Sequence, residues 1–112
     1  MKVGILDYGM GNIKSLSNAL NYLNIKNDFV TDFNQIIFYE ILILPGVGAF
    51  GEAMKNLNNK NFSGFIKEFL LKKKKLIGIC LGMQLLFEES YEFGIHKGLG
   101  LIKGKVLPFK GK

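Results

Sequence analysis

Leu76-Ile77-Gly78-Ile79-Cys80-Leu81-Gly82-Met83-Gln84 is the stretch on which the fold turns. A short apolar run, Leu76 to Ile79, leads straight into the only cysteine of the chain. Such a run reads as a buried strand. Glycines stand two residues before and two residues after Cys80. The pattern Gly-x-Cys-x-Gly fits a strand that bends sharply into a helix, with the residue at the bend strained and its side chain exposed. A Cβ at either flanking position would crowd so tight a turn. The helix that follows, expected over Met83 to Glu89, would aim its N-terminus at the sulfur, and that end favours a thiolate over a thiol. The backbone N–H of Leu81 would face an oxyanion. The pattern also suits an inert cysteine packed in a core, because free cysteines are often buried. Pattern alone leaves both readings open.

Outward from this turn, the chain alternates strand and helix signals. Lys2 to Leu6 is an apolar run closed by Asp7. Ile13, Leu16, Leu20 and Leu23 follow with helical spacing. Asn24 to Asp28 reads as a turn, Phe29 to Thr31 as a short strand, and Glu40 to Leu44 as a further strand closed by Pro45-Gly46. A helix is expected over Phe50 to Leu57. Phe62, Phe65, Ile66, Phe69 and Leu70 fall at i, i+3, i+4, i+7 and i+8 and define another. Gly94 to Gly100 reads as loop. Leu101-Ile102 and Lys105 to Phe109 read as closing strands, the second held to a sheet edge by Pro108. The expected fold is α/β: three layers, a mostly parallel sheet with helices on both faces.

In such sheets ligands gather at the carboxyl ends of the strands. Three glycine-bearing loops should sit there, after Leu6, after Leu44 and after Ile79. Pro45-Gly-Val-Gly48 could offer a second backbone N–H, from Val47 or Gly48, to the same oxyanion, or be a plain tight turn. Asp7-Tyr-Gly-Met-Gly-Asn12 departs from the dinucleotide pattern Gly-x-Gly-x-x-Gly, since position 14 is lysine, and no phosphate-cradling Gly-Lys-Ser/Thr occurs. No nucleotide, other cofactor or metal is expected.

The net charge of +6 comes from fifteen basic residues, all of them lysine. Sequence-specific nucleic-acid readers lean on arginine forks. The run Lys72 to Lys75 suits the negative end of a helix, so neither a nucleic-acid partner nor a membrane is expected. No apolar run approaches the roughly 18 residues of a membrane span. The N-terminus is a poor signal peptide, and a single cysteine agrees with a reducing compartment, so the cytoplasm is the expected location.

The loops together resemble a known family. DYGMGNIKSL (7–16), LPGVGAFGEAM (44–54), GICLGMQLLFEES (78–90) and GLGLIKGKV (98–106), in this order, are similar to class I glutamine amidotransferases. Related amidotransferases share Gly-x-Cys-x-Gly, but DYGMGN and PGVGAF resemble the glutaminase subunits of imidazole glycerol phosphate synthase. The likeness covers nearly the whole chain. It implies that Cys80 attacks the side-chain amide of glutamine and forms a glutamyl thioester. Val47 and Leu81 would supply oxyanion-hole N–H groups. Gly48, Gln84 and Glu92 would hold glutamine. Asp7, Tyr8, Gly9, Met10, Gly11 and Asn12 would face a separate (β/α)8-barrel cyclase, which receives the ammonia. The product would be imidazole glycerol phosphate, on the path to histidine.

The family's nucleophile works with a histidine and a glutamate in a later Pro-x-His-x-Glu-like stretch, which this sequence does not contain. Its one histidine, His96, does not match that position and is expected to be a solvated loop residue. Glu88 and Glu89 are expected on the exposed face of the helix after the turn. Residues 1–112 therefore read as the N-terminal part of one amidotransferase domain, inactive alone. Two further readings stand beside this one. A paralogue could feed ammonia to sugar-nucleotide amidation, or the chain could be a non-catalytic module docking on a barrel.

Overall fold

The computed structural model describes residues 2–108. Four strands, β1 (Val3–Leu6), β2 (Asn27–Val30), β3 (Ile41–Leu44) and β4 (Lys75–Gly78), form a parallel sheet in the order β2-β1-β3-β4. Val3 pairs with Asn27 on one side and Ile41 on the other, and Ile43 pairs with Ile77. Because side chains alternate along a strand, this register sorts the residues into two faces. Leu6, Leu42 and Leu44 face one core; Val3, Ile5 and Ile43 face another.

The first face is covered by two helices, α2 (Phe50–Asn59) and α3 (Phe62–Leu71). They bury Phe50, Ala53, Met54 and Leu57, and Phe62, Ile66 and Phe69. Gly4 lets this layer close, since a Cβ there would lie 2.7 Å from Val30 and 3.0 Å from the Tyr39 ring. Among the described residues, the second face is covered by one helix, α1 (Ile13–Tyr22). Asn12 caps that helix, its side chain accepting from the Ser15 N–H at 3.2 Å.

Several expectations are corrected. Asn27 and Asp28 belong to β2, not to a turn. A 3₁₀ helix, Phe33–Phe38, joins β2 to β3 and begins with a reciprocal cap between Asp32 and Gln35. The helix after the cysteine is a single turn, α4 (Leu81–Gln84), rather than a helix over 83–89. Phe87–Ser90 is a strand, β5, which with β6 (His96–Lys97) and β7 (Ile102–Val106) forms a second sheet of order β6-β5-β7. The chain after residue 97 takes up the backbone that a longer helix would have used. Leu99 N–H donates to the Leu85 carbonyl, and Leu101 and Ile102 N–H both donate to the Leu86 carbonyl. Glu88 is therefore exposed on a strand, and Glu89 is half-buried, 4.0 Å from Lys105. The expected loop 94–100 contains β6 (His96–Lys97), antiparallel to β5. One strand, β7 (Ile102–Val106), replaces the two expected closing strands. It lies at the edge of its sheet and runs parallel to β5. The part of the expected second closing strand at Phe109 lies outside the described residues.

Candidate active site

The loops after β1, β3 and β4 meet. The Tyr8 hydroxyl, on the first loop, donates to the Pro45 carbonyl on the second. A Cβ on Gly11 would lie 3.2 Å from the Gly46 nitrogen, and one on Gly48 would lie 3.4 Å from the Met10 methyl. From the third loop, the Leu81 N–H donates to the Gly46 carbonyl at 3.1 Å. Residues 8–11, 45–48 and 80–82 thus form one rim at the carboxyl end of the sheet.

Cys80 stands at the bend with φ 55 and ψ −122, and its thiol is exposed. A residue with a Cβ adopts such a conformation at a cost of about 1–3 kcal/mol, and it persists only where neighbours enforce it. The neighbours here are the two glycine positions. At Gly82 a Cβ would lie 1.8 Å from the Leu44 carbonyl oxygen; at Gly78 it would lie 2.8 Å from the Met83 Cα. Both contacts are with backbone, so no side chain can move aside. Ile79 N–H donates to the Leu44 carbonyl at 3.0 Å, and Gly82 N–H donates to the Ile79 carbonyl at 2.9 Å. These bonds lock the turn on both sides of the cysteine.

The remaining expected residues are distributed more widely. Val47 is exposed on the second loop, and Gly48 beside it has φ 105. Gln84 is half-buried at the last position of α4. Glu92 lines a cleft of about 300 Å³ with Ala49, Phe50 and Gly51, on the far side of the Pro45–Gly48 loop in sequence. In the first loop Gly9 and Asn12 are exposed, while Asp7, Met10 and Gly11 are half-buried. Tyr8 is only 1% exposed, so it cannot present itself to a partner as expected. It anchors one loop to another instead, and burial pushes its phenol well above the ordinary tyrosine range. His96 is half-buried on β6 rather than solvated. Its Nε2 lies 3.0 Å from the Phe93 carbonyl, and its ring packs where a Cβ on Gly51 would go, against the start of α2. Among the described residues no group of three or more His, Cys, Asp or Glu could hold a metal, and no helix is long and apolar enough to cross a membrane.

Two features of the rim had no signal in the spacing of the sequence. One is the anchoring role of Tyr8. The other is the Gly46 carbonyl, which accepts from the Leu81 N–H and ties the second loop to the third.

A strained, exposed cysteine at a strand end, framed by two glycine-rich loops on a parallel α/β sheet, defines the class of protein. Residues 4–111 match the family described as glutamine amidotransferase class-I, and the chain belongs to that family. It is 50% identical over 107 residues to the imidazole glycerol phosphate synthase subunit HisH of Wolinella succinogenes, covering 96% of this chain and 52% of that protein. The corresponding subunit of Sulfurimonas denitrificans is 51% identical over the same shares, and that of Aquifex aeolicus 48%. The chain spans about half the length of the curated relatives it matches. Among solved structures, a glutamine amidotransferase superposes with a TM-score of 0.80 at 23% identity, over 94% of this chain and 55% of that one. A putative peptidase E from Listeria monocytogenes superposes with a TM-score of 0.72 at 12% identity, over 90% of this chain and 62% of that one. Both share the fold.

Proposed function

We propose that this chain carries the nucleophile and the oxyanion loops of a cytoplasmic glutaminase subunit of imidazole glycerol phosphate synthase. The observation that supports this most directly is Cys80, held at φ 55 between two glycines that backbone contacts make obligatory. In this reading the Cys80 sulfur adds to the side-chain carbonyl carbon of glutamine. The carbonyl electron pair moves onto oxygen, where the N–H groups of Leu81 and Val47 receive it. The thiol gives up its proton as sulfur attacks, and a proton is delivered to the departing nitrogen; collapse then breaks the C–N bond and releases ammonia, leaving a glutamyl thioester. Water then hydrolyses the thioester to glutamate and restores the thiol. Gly48, Gln84 and Glu92 hold the glutamine.

Two requirements follow from the geometry. The Leu81 N–H is engaged by the Gly46 carbonyl, so the Pro45–Gly48 loop must turn that carbonyl away before an oxyanion can enter. Both proton transfers need a group within hydrogen-bond reach. His96, the only imidazole in the sequence, is occupied with Phe93 and packed on α2. Turnover by these 112 residues alone is therefore expected near background. The ammonia passes to a (β/α)8-barrel cyclase docked on the first loop, where Gly9 and Asn12 offer surface.

A diazo-ketone analogue of glutamine tests the reading. Its carbon should alkylate Cys80 with loss of dinitrogen, giving one adduct by mass spectrometry. That adduct should vanish in Cys80→Ala and be slowed by excess glutamine. An unlabelled Cys80, or labelling indifferent to glutamine, would sink the proposal. Adding the barrel cyclase and its ligand tests the docking half, since association should accelerate the labelling.

A further inference from the structure

Two clefts lie side by side along α2, and their charges differ in sign. The smaller, which holds Glu92, is lined by a second acid, Glu52, and by one lysine, Lys55. The larger has a volume of about 510 Å³ and runs between α2 and β6. No carboxylate lines it. Lys55 from the helix and Lys97 from the strand bring a cation to each wall.

Helical spacing builds one wall of the larger cleft. Gly51, Met54, Lys55 and Asn58 stand at i, i+3, i+4 and i+7 and share a face of α2. Met54 is buried and gives that wall an apolar floor. Gly51 lets β6 close on the helix, because the His96 ring lies 2.6 Å from where its Cβ would be. The same ring lines both clefts and forms the wall they share.

Neither lysine is spent on an acid. Among the described residues, Lys55 and Lys97 form no ion pair. Glu89 stands opposite Lys97 in the ladder, but its carboxylate accepts from the Tyr91 hydroxyl at 3.0 Å and lies 4.0 Å from Lys105. Asn58 adds an oriented donor. Its carbonyl oxygen accepts from the Ser63 hydroxyl at 2.5 Å, so the end of the amide left for a ligand is the NH2. Asn59 brings a second amide to the same end of the cleft. Unpaired cations and N–H donors around an apolar floor suit an anion with a carbon skeleton.

We propose that the cleft between α2 and β6 binds a small organic dianion, a phosphate monoester or a dicarboxylate. Its charge lies between Lys55 and Lys97, its skeleton rests on Met54, and the Asn58 NH2 donates to one of its oxygens. Two cations on opposite walls select a double charge over a single one. A volume of about 510 Å³ is that of a small-molecule site rather than of a bare ion. The site is separate from the Cys80 rim and does not depend on the glutaminase reading.

The test titrates the 112-residue chain, labelled with nitrogen-15, with glucose 6-phosphate, succinate, acetate and glucose. Ionic strength is held constant and the pH slightly alkaline, where both dianions are fully charged. Backbone amide shifts are followed residue by residue. At least one dianion should give saturable shifts centred on Lys55, Asn58, His96 and Lys97. Acetate should bind at least about tenfold more weakly, and glucose should shift nothing. A response to the ester alone assigns a phosphate ligand; a response to succinate alone assigns a dicarboxylate. Lys55→Gln and Lys97→Gln each remove one charge at an exposed position and should each weaken binding about tenfold. Lys72→Gln, exposed at the end of α3, should leave it unchanged. The proposal is overturned if neither dianion saturates or if acetate matches them. It is equally overturned if Lys72→Gln weakens binding as much as the cleft variants, which would make the binding general surface charge.

Discussion

The two faces of the parallel sheet come from the same four strands and differ in almost everything else. One face meets α2 and α3, whose seven buried side chains join Leu6, Leu42 and Leu44 in a single core. The other meets α1, where Ile13, Leu16 and Leu20 are only half-buried over Val3, Ile5 and Ile43. Strand alternation guarantees that both faces are apolar, but it does not guarantee that both are covered. Stability should therefore reside on the α2–α3 side, while the α1 side and the β4 edge keep apolar surface available. The rim bearing Cys80 lies where these two regimes meet.

Large-to-small substitutions should expose that asymmetry most strongly. Phe62 is fully buried in the α2–α3 core, and Phe62→Ala should cost about 3–5 kcal/mol. For a domain whose total stability is on the order of 5–15 kcal/mol, that is enough to populate the unfolded chain. Leu20→Ala on α1 removes a half-buried side chain and should cost about 1 kcal/mol. Urea midpoints at constant slope measure both. Equal losses would mean that the two faces contribute alike, and the contrast would fail.

Glycine-to-alanine changes sharpen the contrast between the rim and the helical layer, with opposite signs. In Gly82→Ala the new methyl would meet the Leu44 carbonyl at 1.8 Å, so the turn must open. A loss of about 2–3 kcal/mol is expected, together with slower alkylation of Cys80 as the bend relaxes. Gly64 lies in α3 with nothing within 4 Å of an added Cβ. Gly64→Ala should stabilise by up to about 1 kcal/mol through helix propensity. Cys80 itself gives a smaller effect. At φ 55 a glycine is unstrained, so Cys80→Gly should melt higher than Cys80→Ala, by about 1 kcal/mol in stability. If the alanine variant is as stable as the glycine variant, the bend stores no strain.

Long-period signals were legible in the residues, and short-range competition was not. The i, i+3, i+4 spacing of Phe62 to Leu70 marks α3 because one stripe must face a core. The Gly-x-Cys-x-Gly turn was legible because only glycine fits against backbone on both sides. Met83 to Glu89 misled for a physical reason. Its residues tolerate a helix, but the Leu85 and Leu86 carbonyls find donors at Leu99, Leu101 and Ile102, far along the chain. No local pattern encodes that pairing. The 3₁₀ helix could have been found, since Asp32 and Gln35 stand at capping-box spacing. Tyr8 shows the limit at the site. Its place beside glycines in a polar loop suggests surface, yet the hydroxyl is spent on the Pro45 carbonyl once the loops close over it.

Tyr8 also provides the smallest of the expected effects, and the one that ties the rim to the folded state. Tyr8→Phe keeps the ring and removes one donor, leaving the Pro45 carbonyl without it, a loss of about 1 kcal/mol near neutral pH. The pH dependence carries more information. Burial raises the Tyr8 phenol above its unfolded value near 10, so the folded state holds its proton where the unfolded chain has released it. The contribution is full below about pH 10 and is lost as pH climbs from there toward the raised value. Tyr39, raised by burial and by its bond to Asp28, adds to the same decline. Stability measured by urea between neutral and strongly alkaline pH should fall less steeply in Tyr8→Phe than in the unsubstituted chain. Identical slopes would mean that the phenol reaches solvent, and that Tyr8 does not hold the first and second loops of the rim together.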